Sequence, residues 1–162
     1  MVKILSGVSM ALFGKMIYVL YGQPASGKTV LGRMLAASKL TTFHIDGDEF
    51  RNLFSNVNYG KEGREENINA ANSVATYLNK TQEEDVVMSL INPYQKLRDK
   101  LKANNPSQVI EILLTSNRDL RKEYRVNDFE MGNPDIAINT DRDSQKTFKD
   151  LEACINKKKY YG

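Results

Sequence analysis

Residues 22–29 read GQPASGKT and fit the pattern G-x-x-x-x-G-K-[ST] at every fixed position. The run before them, residues 16–21 (MIYVLY), is short, apolar and β-prone, and the run after them carries apolar residues at helical spacing. A strand, a loop and a helix in this order place backbone N–H groups at a helix N-terminus, where they can cradle phosphate groups. The stretch therefore predicts a phosphate-binding loop.

Each part of this loop has an expected task. Its glycines let successive N–H groups turn inward, Lys28 is expected to reach the terminal phosphates, and the Thr29 hydroxyl is expected to hold Mg²⁺. ATP and Mg²⁺ are thus the predicted nucleotide and cofactor. The residues expected to bind the nucleotide here are Gly22, Ala25, Ser26, Gly27, Lys28 and Thr29.

The composition is that of one small domain. The chain has 162 residues, of which 41% are hydrophobic and 27% charged, so one core and one site are expected. We expect residues 1–15 to be a leader or an added extension and residues 16–162 to be a single domain. The net charge of +3 favours anionic small substrates over nucleic acid, and no membrane partner is expected. The single cysteine, Cys154, excludes an intrachain disulfide and fits a cytoplasmic location.

Strand-like and helix-like segments alternate along the rest of the chain. Such alternation predicts an α/β fold of three layers, with a five-stranded parallel sheet and helices on both faces, and the phosphate loop makes it a P-loop fold. Ligands bind such sheets at the carboxyl ends of the strands. The predicted strands are 16–21, 41–45, 85–90, 109–114 and 135–139, and the later helices are predicted at 64–80, 94–102, 117–125 and 144–158.

Two carboxylates follow the second predicted strand, in the sequence HIDGDEFR of residues 44–51. Phosphoryl transfer needs a carboxylate that aligns or deprotonates the attacking hydroxyl, and Asp48 is predicted to do this. Asp46 or Asp48 is also expected to assist Thr29 in holding Mg²⁺ through water. The competing interpretation is that residues 46–48 are only a turn and a helix N-cap. We expect His44 to be a partly buried strand residue.

A third polar group lies at residues 58–68 (NYGKEGREENI). Arg64 and Asn67 are three residues apart at the start of a predicted helix, so both face the same side. A guanidinium and a carboxamide can grip an oxyanion and a base edge or sugar hydroxyl, and Tyr59 can stack on a ring. The alternative is ordinary helix-surface polarity. Ser89, at the end of the third predicted strand, is expected to point towards the phosphates.

Taken in order, these segments and SLINPY at residues 89–94 resemble the adenylylsulfate kinase (APS kinase) family over about residues 16–140. The segment NPDIAINTD at residues 133–141 is similar to the end of that family's pattern. The resemblance implies that Asp48 is the base and that Ser89 faces the phosphates. It also implies that APS is bound by Arg51, Tyr59, Arg64, Asn67 and Ile91, with Tyr59 stacked on its adenine.

The chain also departs from the family. Asn69 and Gln95 stand where the family has arginines, and Asn92 replaces a serine. The family's lid segment has no counterpart, because Arg125 leads almost directly into VNDFEM at residues 126–131. Phe129 is the candidate to replace the lid's aromatic residue.

The cations after the fourth predicted strand are assigned less directly. The lid cation could be replaced by Arg121, Lys122 or Arg125. The family's adenine-contacting arginine corresponds to Arg118 or Arg125, and Arg125 is preferred because it leaves room for a helix after that strand.

The resemblance implies ATP-dependent phosphorylation of the 3′-hydroxyl of adenylyl sulfate (APS) to give the 3′-phosphorylated product, PAPS. Two alternatives remain open at this point. The first is a related kinase acting on a hydroxyl of another nucleotide, a sugar or a modified base. The second is a nucleotide-binding switch without turnover. A homodimer is the assembly considered.

Overall fold

The computed structural model describes residues 14–161, so residues 1–13 of the expected leader lie outside the described part of the chain. The domain boundary after residue 15 stays a prediction. Within residues 14–161, no helix is both long enough and apolar enough to cross a lipid bilayer.

One five-stranded sheet forms the centre of the fold, in the order β2-β3-β1-β4-β5, and every pairing in it is parallel. The strands are β1 (Ile17–Tyr21), β2 (His44–Asp46), β3 (Val86–Leu90), β4 (Val109–Thr115) and β5 (Ile136–Asn139). The helices are α1 (Lys28–Ser38), α2 (Gly47–Leu53), α3 (Lys61–Gln82), α4 (Gln95–Asn104) and α5 (Ser144–Tyr161), with a 3₁₀ turn at Lys122–Tyr124.

Helices cover both faces of this sheet because the central strand β1 is apolar on both sides. Its odd-numbered residues, such as Val19, join a core with α3 and α4 that includes Ile68 and Leu101. Its even-numbered residues join a second core with α1 and α5. A strand buried on both faces reads as a continuous apolar run, which is the pattern of residues 16–21. The predicted three-layer architecture is confirmed.

Two local predictions differ from the structure. The helix predicted over residues 117–125 is wrong, since only the 3₁₀ turn at Lys122–Tyr124 forms there. These residues are exposed throughout, including Leu120 at 60%, so a helix would have no apolar face to pack. The sequence interpretation also missed α2, which begins directly after β2 because the Asp46 side chain accepts hydrogen bonds from the N–H groups of Asp48 and Glu49.

Candidate active site

A cleft of about 800 Å³ opens at the carboxyl ends of β1, β2 and β3. The phosphate loop, the start of α2 and residues 89–94 lie at the ends of these strands, so the parallel sheet brings them to one edge. The first turns of α3 and the chain after β4 add further polar residues to the cleft. The predicted site residues that line the cleft are Ala25, Gly27, Lys28, Thr29, Asp46, Asp48, Arg51, Tyr59, Arg64, Asn67, Ser89, Ile91 and Arg125.

The phosphate loop is shaped by two glycines. A Cβ at Gly22 would lie 2.4 Å from the carbonyl oxygen of Leu114, so the loop can leave β1 this close to β4 only without a side chain. Gly27 has φ of 87°, a left-handed conformation that glycine adopts without strain, and it directly precedes α1. Neither Gly22 nor Ser26 lines the cleft, and Ser26 is buried with its carbonyl accepting a hydrogen bond from Thr140 Oγ1.

The Lys28 ammonium is folded back into this loop. Its Nζ donates to the carbonyl oxygen of Gln23 at 2.7 Å and to Ser26 Oγ at 3.3 Å. Burial lowers the pKa of Lys28 to about 8, against the opposing effect of Asp48 and Asp46 and with a smaller lowering effect from Arg121. The cation is therefore poorly compensated in the free protein, and a phosphate group would supply the missing negative charge.

Thr29 and Asp46 form the candidate magnesium site. Thr29 Oγ1 donates to Asp46 Oδ2 at 2.5 Å, while Asp46 Oδ1 accepts the N–H groups at the start of α2. No cluster of three or more acidic, His or Cys ligands exists among residues 14–161. A hydroxyl and one carboxylate nevertheless fit Mg²⁺, which keeps several waters and is completed by substrate phosphates. Asp46 is thus both a helix cap and a wall of the cleft, so the two sequence interpretations of residues 46–48 are compatible.

Asp48 lies in the first turn of α2 and is exposed to the cleft. Its negative charge opposes the lowering of the Lys28 pKa, and both side chains line the cleft. A carboxylate here can align or deprotonate a hydroxyl that approaches the terminal phosphate from the α3 side.

Arg51 and Tyr59 form one unit on the α3 side of the cleft. The buried Arg51 Nη1 donates to the carbonyl oxygen of Asn58 at 2.7 Å and to Asn56 Oδ1 at 3.1 Å. Its guanidinium carbon lies 4.7 Å from the centre of the Tyr59 ring, which is 64% exposed. Arg51 therefore fixes the connection that presents Tyr59, and the outer face of this ring is open to a ligand.

Arg64 and Asn67 share one face of α3, as their spacing predicted, and both line the cleft. Asn67 Nδ2 donates to the carbonyl oxygen of Gly47 at 3.4 Å, which ties α3 to the start of α2. Arg64 lies beside the Tyr94 hydroxyl, whose pKa is raised chiefly by burial. This pair places a cation and an amide opposite the phosphate loop.

Ser89 stabilises the end of the phosphate loop, where α1 begins. Its hydroxyl donates to the Lys28 carbonyl oxygen at 3.0 Å, and His44 Nε2 lies 2.8 Å from the same Oγ. A Cβ at Gly32 would lie 2.1 Å from this oxygen, so α1 packs tightly on the pair. Burial lowers the pKa of His44, which is partly buried in its strand as expected. Ser89 thus borders the cleft with its hydroxyl committed to the first turn of α1.

Phe129 does not line the cleft, so the geometry does not bring it to a ring-stacking position. It is half-buried and stacks on Tyr21 in the core, with 6.2 Å between ring centres and 18° between ring planes. The segment after the 3₁₀ turn folds down onto the sheet because Tyr21 Oη donates to the Met131 carbonyl oxygen at 2.6 Å. Phe129 acts here as a core residue.

Arg118 and Arg125 occupy different places. Arg118 Nη2 donates to Thr140 Oγ1 at 2.8 Å and its Nε to Ser116 Oγ at 2.9 Å, and it is not among the residues that line the cleft. Arg125 does line it. The helix on which the preference for Arg125 rested is absent, yet the position of Arg125 keeps it as the candidate for the adenine contact, and this role stays a prediction.

Sequence reasoning missed Gln23 and Tyr124. Gln23 Nε2 donates to the Val126 carbonyl oxygen at 2.9 Å, and Gln23 Oε1 accepts from the Val126 N–H at 3.0 Å. Gln23 occupies a position that the loop motif leaves free, so no pattern pointed to it. Tyr124, which lines the cleft, lay in the segment that was expected to be helical.

Comparison with known proteins agrees with this geometry. The family model described as adenylylsulphate kinase matches residues 14–128. No curated protein sequence matches the chain. The structure of the Mycobacterium tuberculosis APS kinase in complex with AMPPNP and APS is similar with a TM-score of 0.75 and 19% identity, covering 88% of this chain and 98% of that one.

Two further solved structures are similar at low identity. A gluconokinase from Sinorhizobium meliloti has a TM-score of 0.66 and 17% identity, with 90% of this chain and 93% of that chain covered. The hexameric APS kinase from Thiobacillus denitrificans has a TM-score of 0.68 and 20% identity, with 92% and 30% covered. These likenesses show a fold that kinases share. The phosphate loop borders the cleft, and the family model matches most of the length of the chain. With the shared fold, these findings show that this P-loop kinase belongs to the adenylylsulphate kinase family.

Proposed function

We propose that this protein transfers the γ-phosphoryl group of ATP to the 3′-hydroxyl of APS, giving PAPS and ADP. The observation that carries the proposal is the placement of the phosphate loop opposite Asp48, Tyr59, Arg64 and Asn67 in one cleft. A cytoplasmic location and a homodimer belong to the same proposal.

The phosphate loop supplies the nucleotide side of the reaction. Lys28 and the N–H groups at the start of α1 hold the terminal phosphates, and Lys28 Nζ exchanges its contacts with Gln23 and Ser26 for phosphate oxygens. Thr29 and Asp46 hold Mg²⁺, which neutralises charge on the phosphates when it is bound.

The α2 and α3 residues supply the acceptor side. Arg64 and Asn67 bind polar groups of APS, and Tyr59 stacks on its adenine. Asp48 orients the 3′-hydroxyl and accepts its proton as the oxygen forms a bond to the γ-phosphorus. The bond from that phosphorus to the bridging oxygen breaks at the same time, and ADP leaves.

A second acceptor class, a sugar hydroxyl, is favoured by two comparisons and one structural fact. The fold is similar to that of a gluconokinase, and a sugar kinase from Janibacter has a TM-score of 0.67. In this chain, moreover, Phe129 packs against the core and does not cover the acceptor side of the cleft. This side of the cleft is therefore open to acceptors other than APS.

A coupled ADP-release assay separates these acceptors. ATP and Mg²⁺ are incubated with APS, with gluconate and other sugars, and with nucleosides and modified bases, and Lys28→Ala protein serves as the background control. APS should stimulate ADP release more than any other acceptor. Stimulation by a sugar but not by APS would replace the proposed acceptor, and stimulation by none would remove the kinase proposal.

A further inference from the structure

The second residue of the phosphate loop, Gln23, joins two parts of the cleft. Its side chain both donates to and accepts from the backbone of Val126, at 2.9 and 3.0 Å, and Val126 is 3% exposed. Its own carbonyl oxygen accepts from Lys28 Nζ. We call the paired bonds between Gln23 and Val126 the Gln23 clamp. This clamp links the phosphate loop to the chain that crosses the cleft.

The chain immediately before the clamp is a cationic turn, residues 121–125. Arg121, Glu123, Tyr124 and Arg125 line the cleft, and the Arg121 guanidinium carbon lies 5.2 Å from the centre of the Tyr124 ring. Lys122 differs from its neighbour, because it forms an ion pair with Asp119 and is not among the cleft residues. The turn therefore presents Arg121, rather than Lys122, to the phosphate loop.

The chain after the clamp is held by separate bonds. Arg98 Nη2 donates to the Glu130 carbonyl oxygen at 2.7 Å, and the Glu130 N–H donates to the Pro93 carbonyl oxygen at 2.8 Å. These contacts fix residues 129–131 against α4 without reaching the cationic turn. Val126 thus attaches the C-terminal end of the turn to the phosphate loop.

We propose that Gln23 is a positioning residue whose clamp holds the cationic turn over the phosphate loop, so that Arg121 contacts the transferring phosphoryl group. The inference rests on the proposed ATP-dependent transfer but not on the identity of the acceptor. A guanidinium fork can bind two equatorial phosphoryl oxygens, and a second cation beside Lys28 stabilises the charge that they carry in the transition state. Arg121 and Lys28 line the same cleft, and the charge of Arg121 contributes to the lowered pKa of Lys28.

The first test compares Arg121→Ala with Lys122→Ala, a matched neighbour that points away from the cleft. Arg121→Ala should weaken binding of the non-hydrolysable analogue AMPPNP about tenfold, leave ADP affinity within about twofold, and lower kcat about a hundredfold or more. Lys122→Ala should match the wild type in all three measurements. An Arg121→Ala protein that binds AMPPNP as tightly as the wild type would overturn the assignment.

The second test addresses the clamp. Gln23→Ala removes both bonds, whereas Gln23→Glu keeps the acceptor for the Val126 N–H and loses the donor to the Val126 carbonyl oxygen. Both should lower AMPPNP affinity more than ADP affinity, because only AMPPNP carries the group that Arg121 contacts, and a melting curve confirms that each is folded.

The coupling between Gln23 and Arg121 distinguishes a positioning role of Gln23 from a merely structural one. In an Arg121→Ala background, Gln23→Ala should cause no further loss of kcat and no further change in the ratio of AMPPNP affinity to ADP affinity, because its effect on the terminal phosphate passes through Arg121. Additive losses would overturn the positioning role. If the wild type transfers phosphate to no acceptor, the proposed function fails, while the comparison of AMPPNP with ADP still decides between Arg121 and Lys122.

Discussion

Nucleotide binding should weaken as the pH is raised from 7.5 to 9.5, because Lys28 loses its proton in the free protein. Burial holds its pKa at about 8, and a bound triphosphate should restore it to about 10.4 or higher. Binding then requires uptake of one proton above pH 8. By linkage, Kd should be nearly constant below pH 8 and should rise about tenfold per pH unit above it, roughly 20- to 30-fold across the whole range.

Calorimetric titration of AMPPNP into the protein measures this directly. Repeating it at pH 9 in two buffers of different ionisation enthalpy should give an uptake of about one proton per nucleotide. Lys28→Arg is the control, since arginine keeps its charge throughout and should give a flat profile. A wild-type Kd that stays constant to pH 9.5 would refute the assignment of a buried, poorly compensated Lys28.

Three further outcomes are expected. In steady-state kinetics, Asp48→Asn should lower kcat about a hundredfold or more and leave the acceptor KM within a few-fold, whereas Arg64→Ala should mainly raise that KM. A near-normal kcat for Asp48→Asn would mean that Asp48 has only a structural role in the first turn of α2. Thr29→Val keeps the shape of the side chain but removes the hydroxyl that bonds Asp46. It should raise the Mg²⁺ concentration needed for half-maximal activity, and an unchanged Mg²⁺ requirement would argue against this metal site. The carboxylate of Glu111 is 1% exposed, and burial raises its pKa above the unfolded value, so its contribution to stability is lost as the pH rises through the folded pKa. Glu111→Gln should therefore raise the melting temperature more at pH 7 than at pH 4. An equal shift at both pH values would contradict this.

Much of the fold followed from local pattern. The phosphate loop was predicted because its spacing is stringent and its flanks must be a strand and a helix, and the continuous apolar run of β1 indicated a strand buried on both faces. The parallel order of the sheet then brought Asp46, Asp48 and Ser89 to one edge, as expected for strands of one direction.

The remainder depended on tertiary contacts that leave no periodic signal. The charged stretch 117–125 has helix-forming residues but no apolar face, so only the 3₁₀ turn forms. Phe129 could not be assigned from sequence, because only its packing on Tyr21 shows that it belongs to the core. Gln23 occupies a free position of the motif, and its role depends on Val126, which lies far away in the chain.

The central claim is that a hydroxyl of APS receives the γ-phosphoryl group in this cleft. Its most direct test is to incubate the protein with ATP labelled in the γ-phosphate, Mg²⁺ and APS, and to separate the products by chromatography, with Asp48→Asn protein alongside. The account predicts label in PAPS in equal amount to the ADP formed, and about a hundredfold less in the variant. Nucleotide binding without transfer of label to APS would contradict it.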